Sequence, residues 1–263
     1  MADSFYVPLG DGRWRATVHT AGPWDPGAQH GGPPSALLGR AIQRCAPRDD
    51  MIVARFTCEI LGAIPVSDIE LRAEVIRKGR SVELVEAVAS AAGRDVVRAN
   101  AWRVLRSPSE SVPPRQQAPV VLPAPGTWEP PAHWGDGYIS AIEWRSEHGT
   151  FGEMGPAVMW GRMRYPLVPD EEPSPLERVL IVADSGNGAS SVLDLTGWYF
   201  INPELTVHLH REAVGDWIRL DATTTVSAGG AGLATSVLSD VDGPVGVGAQ
   251  SLLVTPRPGP EPR

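Results

Sequence analysis

The sequence predicts an α+β fold built from two tandem units, each a helix followed by a long antiparallel sheet that wraps around it. Three observations lead there: one strand-like pattern occurs twice, a helical segment opens each copy, and a proline-dense stretch lies between the copies. At 263 residues, 42% hydrophobic and 21% charged, the chain can bury two core units or one large one.

The repeat emerges when "RFTCEILGAIPVSDIELRAEV", from Arg55, is placed above "ELTVHLHREAVGDWIRLDATT", from Glu204; the two align without a gap at an offset of 149. Phe56, Cys58 and Ile60 fall on Leu205, Val207 and Leu209, so the same strand face is apolar in both copies. Ser67 and Asp68 fall on Asp216 and Trp217. After a one-residue slip Gly79 falls on Gly229, Ala87 and Val88 on Val237 and Leu238, Gly93 on Gly243, and Asn100 on Gln250.

In chain order, the first copy opens with a helix over 33–45 ("PPSALLGRAIQRC") and continues with alternating segments over 51–62, 68–78, 81–91 and 94–105. Residues 107–137 are dense in proline, which suits neither helix interiors nor central strands, and read as a linker. The second copy opens with a helix over 186–195 ("GNGASSVLDL") and continues with strands over 199–210, 216–227, 230–240 and 245–255. Hairpin-type breaks at "KGR", "AGRD", "AGGAG" and "DVDGP" separate the strands. The expected organisation is an N-terminal unit over 1–106, the linker over 107–137, a C-terminal unit over 138–257 and a disordered tail over 258–263. A lone unit would leave a sheet edge unpaired, and two units relieve this by pairing edge to edge.

A formal charge of −8 argues against a nucleic-acid partner, because phosphate binding needs a basic surface. Cys45 and Cys58, the only cysteines, are too few for a disulfide scaffold and read as buried apolar thiols. The N-terminal stretch has no basic segment followed by an apolar core, and no run approaches the length of a membrane span, so a cytoplasmic protein without a membrane partner is expected. His208 and His210 share a strand face but lack a third ligand, and no metal or other cofactor is expected. No GxSxG elbow and no phosphate-loop pattern occurs.

Four strings carry a family likeness: "PWDPGAQHGGPPSALLGRAI" (23–42), "VADSGNG" (182–188), "WYFINPELTVHLHR" (198–211) and "GAQSLLV" (248–254). With the duplicated helix-and-sheet pattern, the chain over about residues 10–257 resembles the double hot-dog proteins of the acyl-CoA thioesterase II family, in particular their actinobacterial thioesterase-like members. The resemblance implies hydrolysis of acyl-CoA by a water held between an aspartate before the second unit's helix, a hydroxyl or asparagine on the next long strand, and a glutamine near the last strand. Asp184 and Gln250 match the first and third positions, and Asn202 the second, with Thr206 as the fallback because better-known members carry a hydroxyl there. His30, Gly31, Gly32 and Gly186 are the substrate-facing positions, and stacking of double units into a homo-oligomer is a further expectation.

Each assignment has a plainer reading. Asp184 suits a helix N-cap, where a carboxylate stays ionised with a lowered pKa. Asn202 suits a turn before Pro203, and Gln250 a bond to strand neighbours. The Gly31 and Gly32 amides either receive a thioester carbonyl or close a turn onto the first helix; His30 either lines the pocket or bonds to a loop. Thioester hydrolysis needs only an aligned water, a proton acceptor and oxyanion donors, so no covalent nucleophile is required. Two rivals stand beside the thioesterase: an enoyl-CoA hydratase using Asp25 and His30, and a non-catalytic acyl-CoA or lipid-binding protein.

Overall fold

The computed structural model describes residues 3–23, 25–107, 120–131 and 134–257. The first unit comprises β1 (Tyr6–Gly10), β2 (Arg13–Ala16), α1 (Gly32–Arg44), β3 (Met51–Ile60), β4 (Asp68–Arg77), β5 (Val82–Ala91) and β6 (Arg94–Leu105). The second comprises α2 (Tyr138–Ala141), β7 (Ile142–His148), β8 (Ala157–Met163), α3 (Pro175–Ala183), α4 (Gly186–Ala189), β9 (Trp198–Ile201), β10 (Glu204–Leu209), β11 (Ile218–Val226), β12 (Ala231–Asp240) and β13 (Gly243–Pro256).

The strands form one antiparallel sheet in the order β1-β2-β4-β5-β6-β3-β10-β13-β12-β11-β8-β7, with β9 also on β13. The second half of this order mirrors the first. The seam is the β3–β10 pairing, where Phe56 faces Val207, Thr57 faces Thr206 and Cys58 faces Leu205. Thr57 and Thr206 are themselves equivalent positions of the repeat, so an internal two-fold axis passes through that pair. The open edges of two separate sheets thereby become one continuous ladder.

Apolar residues at alternate positions, such as Val85, Ala87 and Ala89 on β5 and Ile218, Leu220 and Ala222 on β11, face one core that also contains Leu37, Leu38, Leu180 and Ile181 from the helices. The helices cross at close range. A Cβ at Gly39 would lie 2.6 Å from Leu180 Cδ1, and one at Gly32 would overlap the Ile181 carbonyl, so glycine is what lets α1 approach α3. At the far end of α1, buried Arg103 of β6 donates to the carbonyls of Ile42 (3.4 Å), Cys45 (3.0 Å) and Ala46 (3.4 Å) and pairs with buried Glu83 of β5. A cation there answers both the orphan carbonyls and the negative end of the helix.

The second unit's helix departs from expectation. It is not continuous over 186–195: α3 spans Pro175–Ala183, and only the four residues of α4 follow. The sequence signal for α3 is the capping box at Ser174 and Glu177, whose Ser174 Oγ accepts the Glu177 N–H while Glu177 Oε2 accepts the Ser174 N–H, both at 3.3 Å. Ser190 ends α4, donating its hydroxyl back to the Gly186 carbonyl (2.9 Å), with its oxygen in hydrogen-bond contact with Thr224 Oγ1 (2.8 Å). The expected strand over 199–210 is likewise broken at Asn202 and Pro203, because proline has no N–H for the ladder. Strands β1, β2, β7 and β8, absent from the sequence reading, extend the sheet at both ends. Cys58 is buried as expected, whereas Cys45 is only half-buried.

Residues 108–119 and 132–133 of the proline-rich stretch, and the tail 258–263, lie outside the described residues. Residues 120–131 run beside β7, held by Arg145 Nη1 to the Pro123 carbonyl (2.9 Å) and by the Ser146 N–H to Thr127 Oγ1 (2.9 Å). No described helix is long and apolar enough to cross a membrane.

Candidate active site

The interruption between α3 and α4 brings Asp184 to the contact between the two units. Its backbone stays near-helical (φ −70°, ψ −7°), and the turn at Asp184 and Ser185 points the carboxylate toward the loop that enters α1. Oδ1 accepts Asn202 Nδ2 at 2.8 Å and Gln250 Nε2 at 3.1 Å. Oδ2 lies 3.3 Å from His30 Nδ1, and the Gly31 amide donates to the carboxylate. A Cβ at residue 31 would sit 2.6 Å from Oδ2, so the approach requires glycine. Two further segments of the second unit and one of the first therefore converge on the Asp184 side chain.

Asp184 does not cap a helix N-terminus. It stands at the C-terminal end of α3, where the helix dipole disfavours a negative charge, and it is 3% exposed. Burial pushes its pKa up to about 7, against the hydrogen bonds from Asn202, Gln250 and Gly31, and neighbouring Glu204 adds to the rise. The expected lowered pKa is thus reversed: removing the carboxylate from water outweighs its three donors.

Gln250 is buried on β13, with every polar atom committed. Nε2 donates to Asp184 Oδ1 and to the Asp184 carbonyl (3.0 Å), and Oε1 accepts the Asn187 N–H at 3.0 Å. Gly186 leaves room for that carbonyl, since a Cβ there would lie 2.9 Å from Oε1. Asn202, in the gap that Pro203 opens between β9 and β10, gives Nδ2 to Asp184 and to the Glu204 carbonyl (3.2 Å). Its side-chain oxygen has no protein partner among the described residues. Thr206 does not reach Asp184; its hydroxyl goes to Glu204 Oε2 (3.1 Å) and Thr57 Oγ1 (3.3 Å), because the seam turns it toward its repeat mate.

The glycine amides are not presented as a free pair of donors. That of Gly31 turns to Asp184, and that of Gly32 donates to His30 Nδ1 at 3.0 Å. His30 is nearly buried, and its ring stacks on Tyr138 with centroids 3.8 Å apart and planes 10° from parallel. Asp25 does not join it: that carboxylate is exposed and accepts the Gly27 N–H at 2.8 Å, an Asx turn. The hydratase pair is therefore not assembled. Tyr138, Asn187 and Glu204 belong to the surroundings of the site, yet nothing in their sequence context marks them. A surface cleft of about 860 Å³ bordered by Arg162, Arg164, Arg178 and Glu171 lies at the other end of α3 and contains none of the site residues.

Residues 20–104 match the family model of the acyl-CoA thioesterase N-terminal domain, and residues 114–254 match that of the acyl-CoA thioesterase C-terminal domain. The chain belongs to the acyl-CoA thioesterase family. It is a thioesterase of the double hot-dog form, and solved structures agree on the fold. A hot-dog protein of Alicyclobacillus acidocaldarius is 14% identical, with 98% of each chain covered and a TM-score of 0.72. The tesB protein of Mycobacterium avium subspecies paratuberculosis is 17% identical, covering 95% of this chain and 96% of that one at a TM-score of 0.66. Acyl-CoA thioesterase II TesB2 of Mycobacterium marinum is also 17% identical, covering 98% and 97% at a TM-score of 0.64. No curated protein matches the thioesterase by sequence.

Proposed function

We propose that this thioesterase hydrolyses acyl-CoA to free acid and CoA, with Asp184 accepting a proton from the attacking water. The observation that carries this reading is the buried Asp184 carboxylate, with a pKa near neutrality, gripped by Asn202 and Gln250. A base is most effective when its pKa lies near the working pH, where enough of it is ionised and the transferred proton is still held well.

The committed polar atoms divide the roles. Gln250 has both Nε2 hydrogens committed to Asp184 and its Oε1 already accepts the Asn187 N–H, so it fixes the carboxylate. Asn202 keeps its carbonyl oxygen. A water donating one hydrogen to Asp184 and the other to Asn202 Oδ1 turns a lone pair toward the thioester carbon. The C–O bond forms as the proton reaches Asp184. The tetrahedral intermediate then expels CoA sulfur, which takes the proton back from the acid, and no covalent enzyme intermediate is needed.

The test is steady-state release of free thiol from a panel of acyl-CoAs by the wild type and Asp184→Asn. Turnover by the wild type, lowered in the variant by about 10²- to 10⁴-fold, is expected for loss of a general base. Binding of acyl-CoA without turnover would replace this reading with a carrier, and water addition to an enoyl-CoA would replace it with a hydratase.

A further inference from the structure

One contact at the site is incompatible with the simplest assignment of its protons. His30 Nδ1 accepts the Gly32 N–H at 3.0 Å, so a neutral ring carries its proton on Nε2 and leaves Nδ1 a single in-plane lone pair. Asp184 Oδ2 lies 3.3 Å from the same nitrogen. If Asp184 is ionised and His30 is in that tautomer, two acceptors face each other in a buried site, which is repulsive. A proton on Oδ2, donated to Nδ1 and sharing it with the Gly32 N–H, makes both contacts attractive. The ring cannot turn away freely, because it lies flat on Tyr138, whose hydroxyl is fixed by the Ile181 carbonyl at 2.7 Å and by Ser185 Oγ at 2.8 Å.

We propose that His30 is a positioning residue for hydrolysis: its Nδ1 holds the proton that Asp184 takes from water until that proton passes to the departing CoA sulfur. The inference rests on the functional reading given above. In the step itself the water oxygen bonds to the acyl carbon, the water proton moves to Asp184 Oδ2, and the resulting acid hydrogen-bonds to Nδ1. The C–S bond then breaks, the thiolate takes the proton, and Asp184 returns to carboxylate with no net change in either residue.

Cys58, Tyr138 and Glu204 also stand beside the pair. Cys58 of β3 is pushed up to about 12 by burial, and Tyr138 of α2 is raised further by the same cause. Glu204, beside Asn202, is occupied by the Ser251 N–H at 2.6 Å and the Thr206 hydroxyl. Burial holds His30 itself down at about 3, so it acts as a neutral acceptor over the working range.

His30→Phe keeps an aromatic ring on Tyr138 and removes the acceptor. The protonated acid then loses its partner and the carboxylate loses the repulsion, so the acidic limb of kcat/KM is expected to move down by about half a pH unit or more. On the same grounds kcat is expected to fall about tenfold with KM little changed. Independently of that variant, ¹⁵N-histidine NMR of the wild type is expected to show one Nδ1 resonance titrating with the midpoint of the acidic limb. In Asp184→Asn the same resonance becomes insensitive to pH, because the new amide donates to Nδ1 permanently. An unshifted limb in a folded His30→Phe, or the absence of any Nδ1 resonance following the limb, overturns the proposal. Full activity of Asp184→Asn would instead refute the role of Asp184 as base, while the NMR titration still decides whether the pair shares a proton.

Discussion

Asp184 spends stability for reactivity. Its folded pKa, about 7, lies above the ordinary value of 3.8, so the folded state prefers the protonated acid. The favourable contribution is complete below about pH 4 and is lost as pH rises through 7. Asp184→Asn removes the buried charge while keeping an oxygen for Asn202 and Gln250, and its new N–H₂ faces His30 Nδ1. Thermal melts are expected to show the variant gaining stability over the wild type between pH 5 and pH 8, even as turnover collapses; a constant difference across that range would contradict the raised pKa. Gly31→Ala isolates geometry from charge. Its Cβ would press on Oδ2 from 2.6 Å, so the carboxylate must shift, and a fall of about tenfold or more in kcat is expected with an unchanged far-UV spectrum.

At the scale of elements, two devices carry α1 and α3. The Arg103–Glu83 pair is buried, and Arg103 also serves the last carbonyls of α1. Arg103→Met strands Glu83 as an unpaired charge and is expected to cost about 3–5 kcal/mol in urea unfolding, whereas Arg103→Met with Glu83→Leu recovers most of it. Ser174→Ala removes one arm of the α3 capping box, for an expected loss of about 1 kcal/mol. Elements also show where the sequence was legible. The strands from β3 to β6 and from β11 to β13 follow the expected segments closely, because alternation over ten residues leaves little freedom of face. The helix was misplaced. "GNGASSVLDL" holds only the four residues of α4, since glycine and serine favour turns, and the S-P-L-E signal at 174–177 opens α3.

The whole molecule is joined at the β3–β10 seam and by the packing of α1 on α3. The site is shared in the same way, with His30 and Gly31 from the first unit and Asp184, Asn202 and Gln250 from the second. We propose that these are two folding units divided within 107–137. If so, fragments 1–107 and 120–263 expressed together should co-purify and release thiol from acyl-CoA, while neither should do so alone. Activity in the second fragment by itself would show that the first unit's loop is dispensable.

By itself the sequence determined the duplication and most of the strand segments, because these follow from local periodicity, whereas the three polar side chains now found in contact were expectations carried by the family resemblance. It did not determine the state of those side chains. Whether Asp184 caps a helix or sits at a helix end, whether Gln250 is free, and whether His30 faces Asp25 or Asp184 depend on which segments the fold brings together. Only the tertiary structure decided them, since burial and partnership are properties of neighbours distant in the chain, and it is burial that lifts one carboxylate to neutrality.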